Sequence, residues 1–243
     1  MTSSKYTVTT ATDAERSAWD AVVSDSPHAT PFHLWHWLQV EAAWSGAELY
    51  PLIVSVGTTI AAICPVFIVR RWSVPFGFSP APGSPALYLG PVIPGYETLK
   101  QEKRESRYIA VQEAVDRFLF DRMRCRFVRI LTPPGLSDAR PLRWAGYDVD
   151  PYYTYRLDLS GGEAAAWQGF DRQARVSINR ALREGVTVSE GGYDRYEEIV
   201  HTVRERLLLQ GTVRVAPEGY YRDLYAAFGS GMIRVFSAEF NGE

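Results

Sequence analysis

The order of apolar and polar positions predicts an alternation of strands and helices. Residues 6–9 alternate like a strand, and the capping-box sequence Thr12–Glu15 starts a helix that extends to about Ser24. The long apolar stretch 52–69 is rich in β-branched residues and is divided by Gly57-Thr58-Thr59. We therefore interpret this stretch as a buried β-hairpin and not as a membrane-spanning helix.

The rest of the first 159 residues completes an α/β pattern. Residues 33–44 predict a second helix, which Gly46 is expected to close. Residues 72–86 predict a loop rich in Pro, Gly and Ser, and residues 87–93 predict a short strand. The remaining predicted elements are helices over 103–124 and 136–145 and strands over 127–131 and 152–159. The predicted order resembles that of a GNAT domain, the acyl-CoA N-acyltransferase fold. This order is strand, two helices, three strands, helix, strand, helix, strand.

A second set of elements begins after residue 159. The pattern predicts helices over 160–184 (interrupted at Gly169), 193–210 and 217–229, and strands over 186–189 and 232–240. The sequence Ser160–Glu163 predicts a capping box at the start of the first of these helices. Strand, helix, helix and strand thus occur in residues 6–57 and again in 186–242. We predict an α/β (α+β) protein of tandem GNAT-like domains with mixed, mostly antiparallel sheets. The first domain covers 1–159, and an incomplete second domain covers 160–243.

The sequence ends at Glu243, one residue after the pair Asn241-Gly242, which directly follows a predicted strand. Asn-Gly is typical of a hairpin turn, which needs a second strand. We therefore expect a fragment or a natural truncation of a longer protein, interrupted in the hairpin of its second domain. The alternative is a genuine terminus with a frayed tail. Because the strand 232–240 then has an unpaired apolar edge, we also expect the isolated chain to associate.

Composition narrows the class of protein. The hydrophobic fraction of 46% and charged fraction of 22% are typical of globular proteins, and the net charge of −2 argues against DNA binding, so any anion site must be local. Cys64 and Cys125 lie in apolar runs and predict buried thiols. The first sixteen residues contain no apolar signal-peptide region. Together these features predict a cytoplasmic protein.

An arginine-rich helix is the main candidate for anion binding. Arg172, Arg175, Arg180 and Arg183 fall within an arc of roughly 140° on a helix of about 100° per residue. The opposite, apolar side is predicted to pack, and it consists of Phe170, Ala174, Ile178, Ala181 and Leu182. Arginine side chains pair with phosphate oxygens through two hydrogen bonds, which favours a phosphate groove. The alternative is a solvated amphipathic helix with Asp171 and Glu184 as local partners.

Three further residues are candidates for substrate binding. Arg214 precedes a helix predicted to begin at Pro217, with Tyr220 in its first turn, and helix N-termini attract anions. These residues are candidates for holding a phosphate and stacking a base or sugar. Tyr88, before Gly90-Pro91, is a candidate for lining a sugar or peptide site. A surface arginine and half-buried tyrosines are the alternative.

The sequence indicates neither a metal site nor a set of catalytic side chains. Among the histidines, only His33 and His36 share a helix face, so we expect His28, His33 and His36 to serve packing. There is no Ser-His-Asp or Cys-His signature, phosphate-binding P-loop or dinucleotide motif. We therefore assign no catalytic residue and expect no bound cofactor.

Several stretches resemble the Fem family of peptidyltransferases, two-GNAT-domain enzymes that transfer amino acids from aminoacyl-tRNA to a peptidoglycan precursor. They are PFHLWHWLQV (31–40), LYLGPVI (87–93), FDRQARVSINRALREGVTV (170–188) and GTVRVAPEGYY (211–221). The resemblance implies that Trp37 is an aromatic anchor and that Tyr88 lines the precursor site. The chain departs from the family at Leu89, where an arginine is usual, and at Val40 and Glu41, where a basic residue is expected.

We predict a transferase of cell-wall biogenesis. It would move an aminoacyl or acyl group from aminoacyl-tRNA or acyl-CoA to an amine acceptor, such as the peptide of a nucleotide-linked or lipid-linked precursor. The expected partners are this precursor and tRNA, together with a peripheral contact to the membrane. The enzyme would orient the amine and stabilise the oxyanion. The hydrogen-bond donors for the oxyanion are expected in a part of the second domain that follows Glu243. We therefore expect this chain alone to be inactive. The alternatives are an ordinary GNAT N-acetyltransferase and a non-catalytic module that binds RNA or another anionic polymer.

Overall fold

The chain divides into two compact units. The computed structural model describes residues 5–211 and 215–240. Unit 1 comprises residues 1–150 and 212–227, and unit 2 comprises residues 151–211 and 228–243. The first unit thus ends before the predicted boundary at 159 and includes a later stretch of the chain. Whether the two units correspond to tandem GNAT-like domains stays a prediction.

Unit 1 is built on a mixed five-stranded sheet in the order β1-β2-β3-β4-β5. Neighbouring strands are antiparallel, except that β4 and β5 are parallel. The strands are β1 Tyr6–Thr10, β2 Glu48–Val56, β3 Thr59–Arg71, β4 Val74–Ser79 and β5 Phe127–Ile130. The long β2–β3 hairpin confirms the interpretation of the apolar stretch 52–69.

Helices cover the sheet of unit 1. They are α1 Arg16–Ser24, α2 Trp35–Ser45, α3 Gln101–Asp116 and α4 Arg140–Trp144. The predicted capping box is confirmed, since the Glu15 carboxylate accepts a hydrogen bond from the Thr12 backbone N–H at 2.8 Å. It caps a short 3-10 turn that leads into α1. The predicted end of α2 is also confirmed, because Gly46 has the left-handed φ of 66° that glycine readily adopts.

The hairpin is apolar throughout because both of its faces are buried. Successive side chains of a strand point to opposite faces. Leu52 and Cys64 accordingly pack in one core with α3, whereas Ile53 and Phe67 pack in a second core with α1 and α2. Strands buried on both faces lose the usual apolar–polar alternation. Both cysteines are free and buried, as predicted.

Three local predictions are wrong. Residues Val74–Ser79 form strand β4 within the predicted loop, because pairing with β3 and β5 outweighs the local Pro and Gly content. Residues 87–93 form only a single bridge, Ile63 to Val92, since Gly90 has a φ of 73° and Pro91 has no N–H. Residues 152–159 have no regular structure, and their alternation is not matched by a neighbouring strand in the described parts of the chain.

Unit 2 contains a two-stranded antiparallel sheet and several helices. Its elements are α5 Gly162–Gly169, α6 Arg172–Arg183, β6 Thr187–Gly191, α7 Tyr193–Leu209 and β7 Val235–Glu239. The break between α5 and α6 confirms the predicted interruption at Gly169. The capping box predicted at 160–163 is absent, because the N-terminal cap of α5 is Gly161, which has no side chain to accept a hydrogen bond. The Asn241-Gly242 turn lies outside the described residues.

Helix α8, Glu218–Met232, is shared between the two units. Its regular course is interrupted at Gly229, whose φ and ψ of 54° and −165° are not helical. The part of α8 through Ala227 belongs to unit 1, and the part from Phe228 belongs to unit 2. No helix within residues 5–211 and 215–240 is both long and apolar enough to cross a membrane.

The buried histidines support the loops of unit 1. His33 Nδ1 accepts a hydrogen bond from the Thr30 N–H at 3.2 Å, and its Nε2–H donates to the Leu89 carbonyl at 3.2 Å. His28 accepts from the Ile93 N–H at 3.0 Å and donates to Glu97 at 2.6 Å. Both rings therefore act in packing, as predicted for them. Within the described residues, no three His, Cys, Asp or Glu side chains are grouped so that they can hold a metal ion.

His33 predicts a loss of stability in mild acid. Burial lowers the pKa of His33 to about 4, whereas a histidine in the unfolded chain has a pKa of about 6.5. Between these values the unfolded state binds the proton more strongly, so stability is full above pH 6.5 and falls as the pH decreases towards 4. From pH 7 to pH 5 we expect a loss of about 2 kcal/mol from this group.

Urea unfolding of the wild type and of His33→Gln at the two pH values measures this effect. The variant is expected to have lower stability at pH 7 but a weaker pH dependence. His36→Gln is the control, since His36 is only half-buried. An equal pH dependence in the wild type and His33→Gln contradicts the prediction.

Candidate functional site

Unit 1 contains a cleft of about 710 Å³, a volume within the range of ligand-binding pockets. Its walls come from α2, β3, β4, the loop 82–85 and the start of α8. The side chains that give it chemical character are Glu41, Trp44, Arg71, Phe76, Phe78 and Tyr220. The cleft thus combines aromatic walls with a few polar groups, which is typical of sites for organic ligands.

Local backbone geometry explains which side chains reach the cleft. Glu41 and Trp44 are three residues apart on α2, so they lie on the same side of the helix. Phe76 and Phe78 are two residues apart on β4, so they lie on the same face of the sheet. Arg71 is at the end of β3 and is exposed.

A buried hydrogen bond joins the two sides of the cleft. The Tyr220 hydroxyl donates to the Glu41 carboxylate at 2.9 Å, and the two residues are 2% and 3% exposed. Burial raises the pKa of Glu41, while hydrogen bonds from Tyr220 and Ser84 act in the opposite direction. A carboxyl group with a shifted pKa beside a cleft is a physical marker of a functional site.

A second contact fixes the start of α8 against α2. The Trp44 indole N–H donates to the Asp223 carboxylate at 2.9 Å. The helix approaches Trp44 closely at Gly219, where a Cβ atom would lie 2.5 Å from the indole ring. Glycine at this position therefore allows the helix and the indole ring to come together.

Of the predicted site residues that the structure describes, only Tyr220 lines the cleft. Tyr220 lies there, with its ring 5.4 Å from that of Tyr221. Tyr88 is half-buried outside the cleft lining, with its ring 5.7 Å from that of Phe32. Arg214 lies outside the described residues. Phe32 also contacts Trp37, the predicted anchor, at a ring distance of 4.8 Å.

The predicted arginine helix is α6 of unit 2. Its N-terminus is capped by Asp171, which accepts a hydrogen bond from the Ala174 N–H at 2.7 Å. Arg180 pairs with Glu184 at 2.7 Å, one of the two local partners predicted from the sequence. Arg172 and Arg175 make no salt bridge with any residue in the described parts of the chain. These two guanidinium groups are therefore available to an anionic ligand.

The predicted packing of the apolar side of α6 is wrong. No residue of α6 is buried, and the exposed fractions of Ile178 and Leu182 are 37% and 58%. The amphipathic pattern determines which side of a helix is apolar, but only a neighbouring element can bury that side. Substitutions on this side are therefore expected to affect stability less than the sequence implied.

Sequence reasoning missed most of the cleft. Glu41 carries one available signal, since it is the single acidic residue of helix α2. The sequence pattern does not identify Phe76 and Phe78 as site residues, because it predicts a loop over residues 72–86. Their position on a central strand depends on pairing with β3 and β5, which local sequence does not show.

The fold of the chain is similar to that of FemX. The crystal structure of FemX matches with a TM-score of 0.60 and 13% sequence identity, covering 96% of this chain and 57% of FemX. The chain therefore spans little more than half the length of that protein. No protein-family model and no curated protein sequence matches the chain. At this identity the likeness shows a mixed α/β, Fem-like fold, which confirms the predicted resemblance at the level of the fold.

The close approach at Gly219 predicts a specific effect of adding one methyl group. In Gly219→Ala the new Cβ overlaps the Trp44 ring and forces it away from Asp223. We expect the unfolding free energy to be about 1–3 kcal/mol lower than in Gly231→Ala, a typical cost of overpacking.

Urea unfolding of the two variants measures this difference. Gly231→Ala is the control because it makes the same Gly-to-Ala change after the interruption at Gly229, where the new Cβ meets no atom within 4 Å. Equal stability of the two variants contradicts the prediction.

Proposed function

We propose that this chain is part of a Fem-like transferase. The enzyme moves an aminoacyl or acyl group from an activated donor to the amine of an acceptor such as a cell-wall precursor peptide. The observation that carries the proposal is the fold likeness to FemX over 96% of the chain. The sequence stretches that resemble the Fem family support it independently of the fold.

The cleft of unit 1 is proposed as the acceptor site. Aromatic walls suit the sugar rings and apolar side chains of a precursor peptide, and Arg71 supplies a cation for a carboxylate or phosphate group. Glu41 and Tyr220 add hydrogen-bonding groups whose orientation is fixed by their mutual bond. Such fixed polar groups give a largely apolar pocket its specificity.

The arginine face of α6, which consists of Arg172, Arg175, Arg180 and Arg183, is proposed to bind phosphates. Arg172 and Arg175 are three residues apart, so their guanidinium groups extend from the same side of the helix. The phosphates of a nucleotide-linked precursor or of tRNA both fit this chemistry. The proposal includes a cytoplasmic location, which the free thiols of Cys64 and Cys125 support.

A transfer assay distinguishes the donors. The protein is incubated with a nucleotide-linked precursor peptide and with labelled aminoacyl-tRNA or labelled acetyl-CoA. Label passed from the tRNA supports the Fem-like function, and label passed from the thioester supports an ordinary N-acetyltransferase. If the protein neither binds the precursor nor transfers from either donor, the proposed function is wrong.

Phe76 and Phe127 provide a matched test of the cleft. They are paired across β4 and β5, and both are partly exposed, but only Phe76 lines the cleft. We expect Phe76→Ala to weaken binding of the precursor by about 1 kcal/mol or more, since aromatic contacts contribute on that order. Phe127→Ala is expected to leave the affinity unchanged. Calorimetric titration measures both, and equal effects contradict the placement of the acceptor.

The arginine face predicts binding loss without loss of stability. Hydrogen bonds between charged groups contribute about 1.5–3 kcal/mol, so Arg175→Ala is expected to weaken binding of phosphate ligands by about tenfold or more. Arg172→Ala is expected to act in the same direction. Because exposed charge changes alter stability by less than about 0.5 kcal/mol, the melting temperature should barely move.

Arg206→Ala is the control, an exposed arginine on α7 of the same unit. Titrations use the nucleotide-linked precursor, aminoacyl-tRNA and an unrelated RNA at two salt concentrations. Equal affinity for aminoacyl-tRNA and the unrelated RNA, without transfer of any group, favours a non-catalytic module. Such a module would bind RNA through Arg172 and Arg175, which have no salt bridge within the described parts of the chain. Unchanged affinity for all ligands in Arg175→Ala makes α6 a solvated helix.

A further inference from the structure

Glu41 combines burial with a position on the wall of a cleft. Its exposed fraction is only 3%, yet it lines a space large enough for an organic ligand. Ionised carboxylates are rarely buried unless they have a partner. The partners of Glu41 in the described structure are the hydroxyl groups of Tyr220 and Ser84, which donate hydrogen bonds but carry no positive charge.

The walls beside Glu41 are also suited to a cation. Trp44 comes from the same side of α2, and Phe76 and Phe78 come from β4. The faces of aromatic rings attract organic cations, and this attraction strengthens when water is excluded. Aromatic walls also offer no oxygen ligands, so they favour an organic ammonium group over a small inorganic ion.

We propose that the Glu41 end of the cleft binds the ammonium group of an alkylamine. The carboxylate of Glu41 pairs with the ammonium group, and the alkyl chain lies along Trp44, Phe76 and Phe78. The hydroxyl groups of Tyr220 and Ser84 each use an acceptor position of the carboxylate and fix its orientation, which leaves the remaining positions for the ligand. Arg71, exposed on the same cleft, is placed to bind a carboxylate at the other end of the ligand.

The ligand class is therefore an alkylamine, and more favourably an amine that also carries a carboxylate. This inference rests on the proposed function in taking the ligand to be the acceptor. It adds the group of the acceptor that is recognised and the residue that recognises it. Binding is measured without any donor, so the site and the transfer activity are tested separately.

The first experiment compares pentylammonium with pentanol in the full chain by ligand titration followed by NMR. The two probes share the alkyl chain and differ in charge. We expect pentylammonium to bind at least about tenfold more tightly, as a buried charge pair predicts. δ-Aminovalerate, which adds a carboxylate, is expected to bind more tightly again. Equal affinity for pentylammonium and pentanol overturns the proposal without any variant.

The second experiment removes the charge of Glu41. Glu41→Gln retains the shape and an oxygen that accepts the Tyr220 hydrogen bond. We expect it to abolish the preference for pentylammonium and to leave the affinity for pentanol unchanged. Glu48→Gln is the matched control, since Glu48 is an exposed carboxylate on β2 that pairs with Arg70 at 3.8 Å outside the cleft.

The outcomes separate this inference from the proposed function. If Glu41→Gln retains the preference, Glu41 serves only as the partner of Tyr220 and the proposal is wrong. If the wild type prefers pentylammonium but neither binds the nucleotide-linked precursor nor transfers a group, the ammonium site stands and the proposed function fails. If transfer occurs with no preference for pentylammonium, only the ammonium site is overturned.

Discussion

The candidate site depends on a single buried hydrogen bond, from the Tyr220 hydroxyl to the Glu41 carboxylate. The two residues are 179 positions apart, and their contact holds the start of α8 against α2. A buried carboxylate without donors carries a free-energy cost of about 1–3 kcal/mol or more. Tyr220 therefore offsets the burial of Glu41, and the cleft between α2, β4 and α8 retains its walls. Trp44 and Asp223 form a second, more exposed link between the same helices.

The hairpin of β2 and β3 provides the base on which this arrangement is built. Its two faces pack against α3 on one side and against α1 and α2 on the other. The position of α2 is therefore determined by the central strands. β3 and β4 then add Arg71, Phe76 and Phe78 to the cleft. Sheet pairing thus connects the hydrophobic core directly to the chemistry of the cleft.

The two units offer different chemistry. Unit 1 presents an aromatic cleft with one buried carboxylate and one arginine, which suits an organic ligand of mixed charge. Unit 2 presents an arginine face on α6, in which Arg172 and Arg175 have no salt bridge within the described parts of the chain. The proposed function involves these two kinds of ligand, an amine acceptor and a phosphate-bearing substrate. The different chemistry of the two units is therefore consistent with that proposal.

The sequence alone determined the elements whose signals are local. The β-branched stretch 52–69, the Thr12–Glu15 capping box and Gly46 after α2 all act through neighbours in the chain, and their predicted roles are confirmed. The arginine side of α6 was likewise evident, because helical periodicity determines which side chains share a side.

Only the tertiary structure decided the features that depend on distant partners. Strand β4 forms within a Pro- and Gly-containing stretch because β3 and β5 supply hydrogen bonds on both of its edges. The alternating residues 152–159 have no such partner in the described chain and form no strand. Buried Glu41 gains its hydrogen-bond donor from Tyr220, which belongs to an element that the chain reaches much later. A sequence pattern shows what a segment is able to bury, whereas the packed neighbours decide what it does bury.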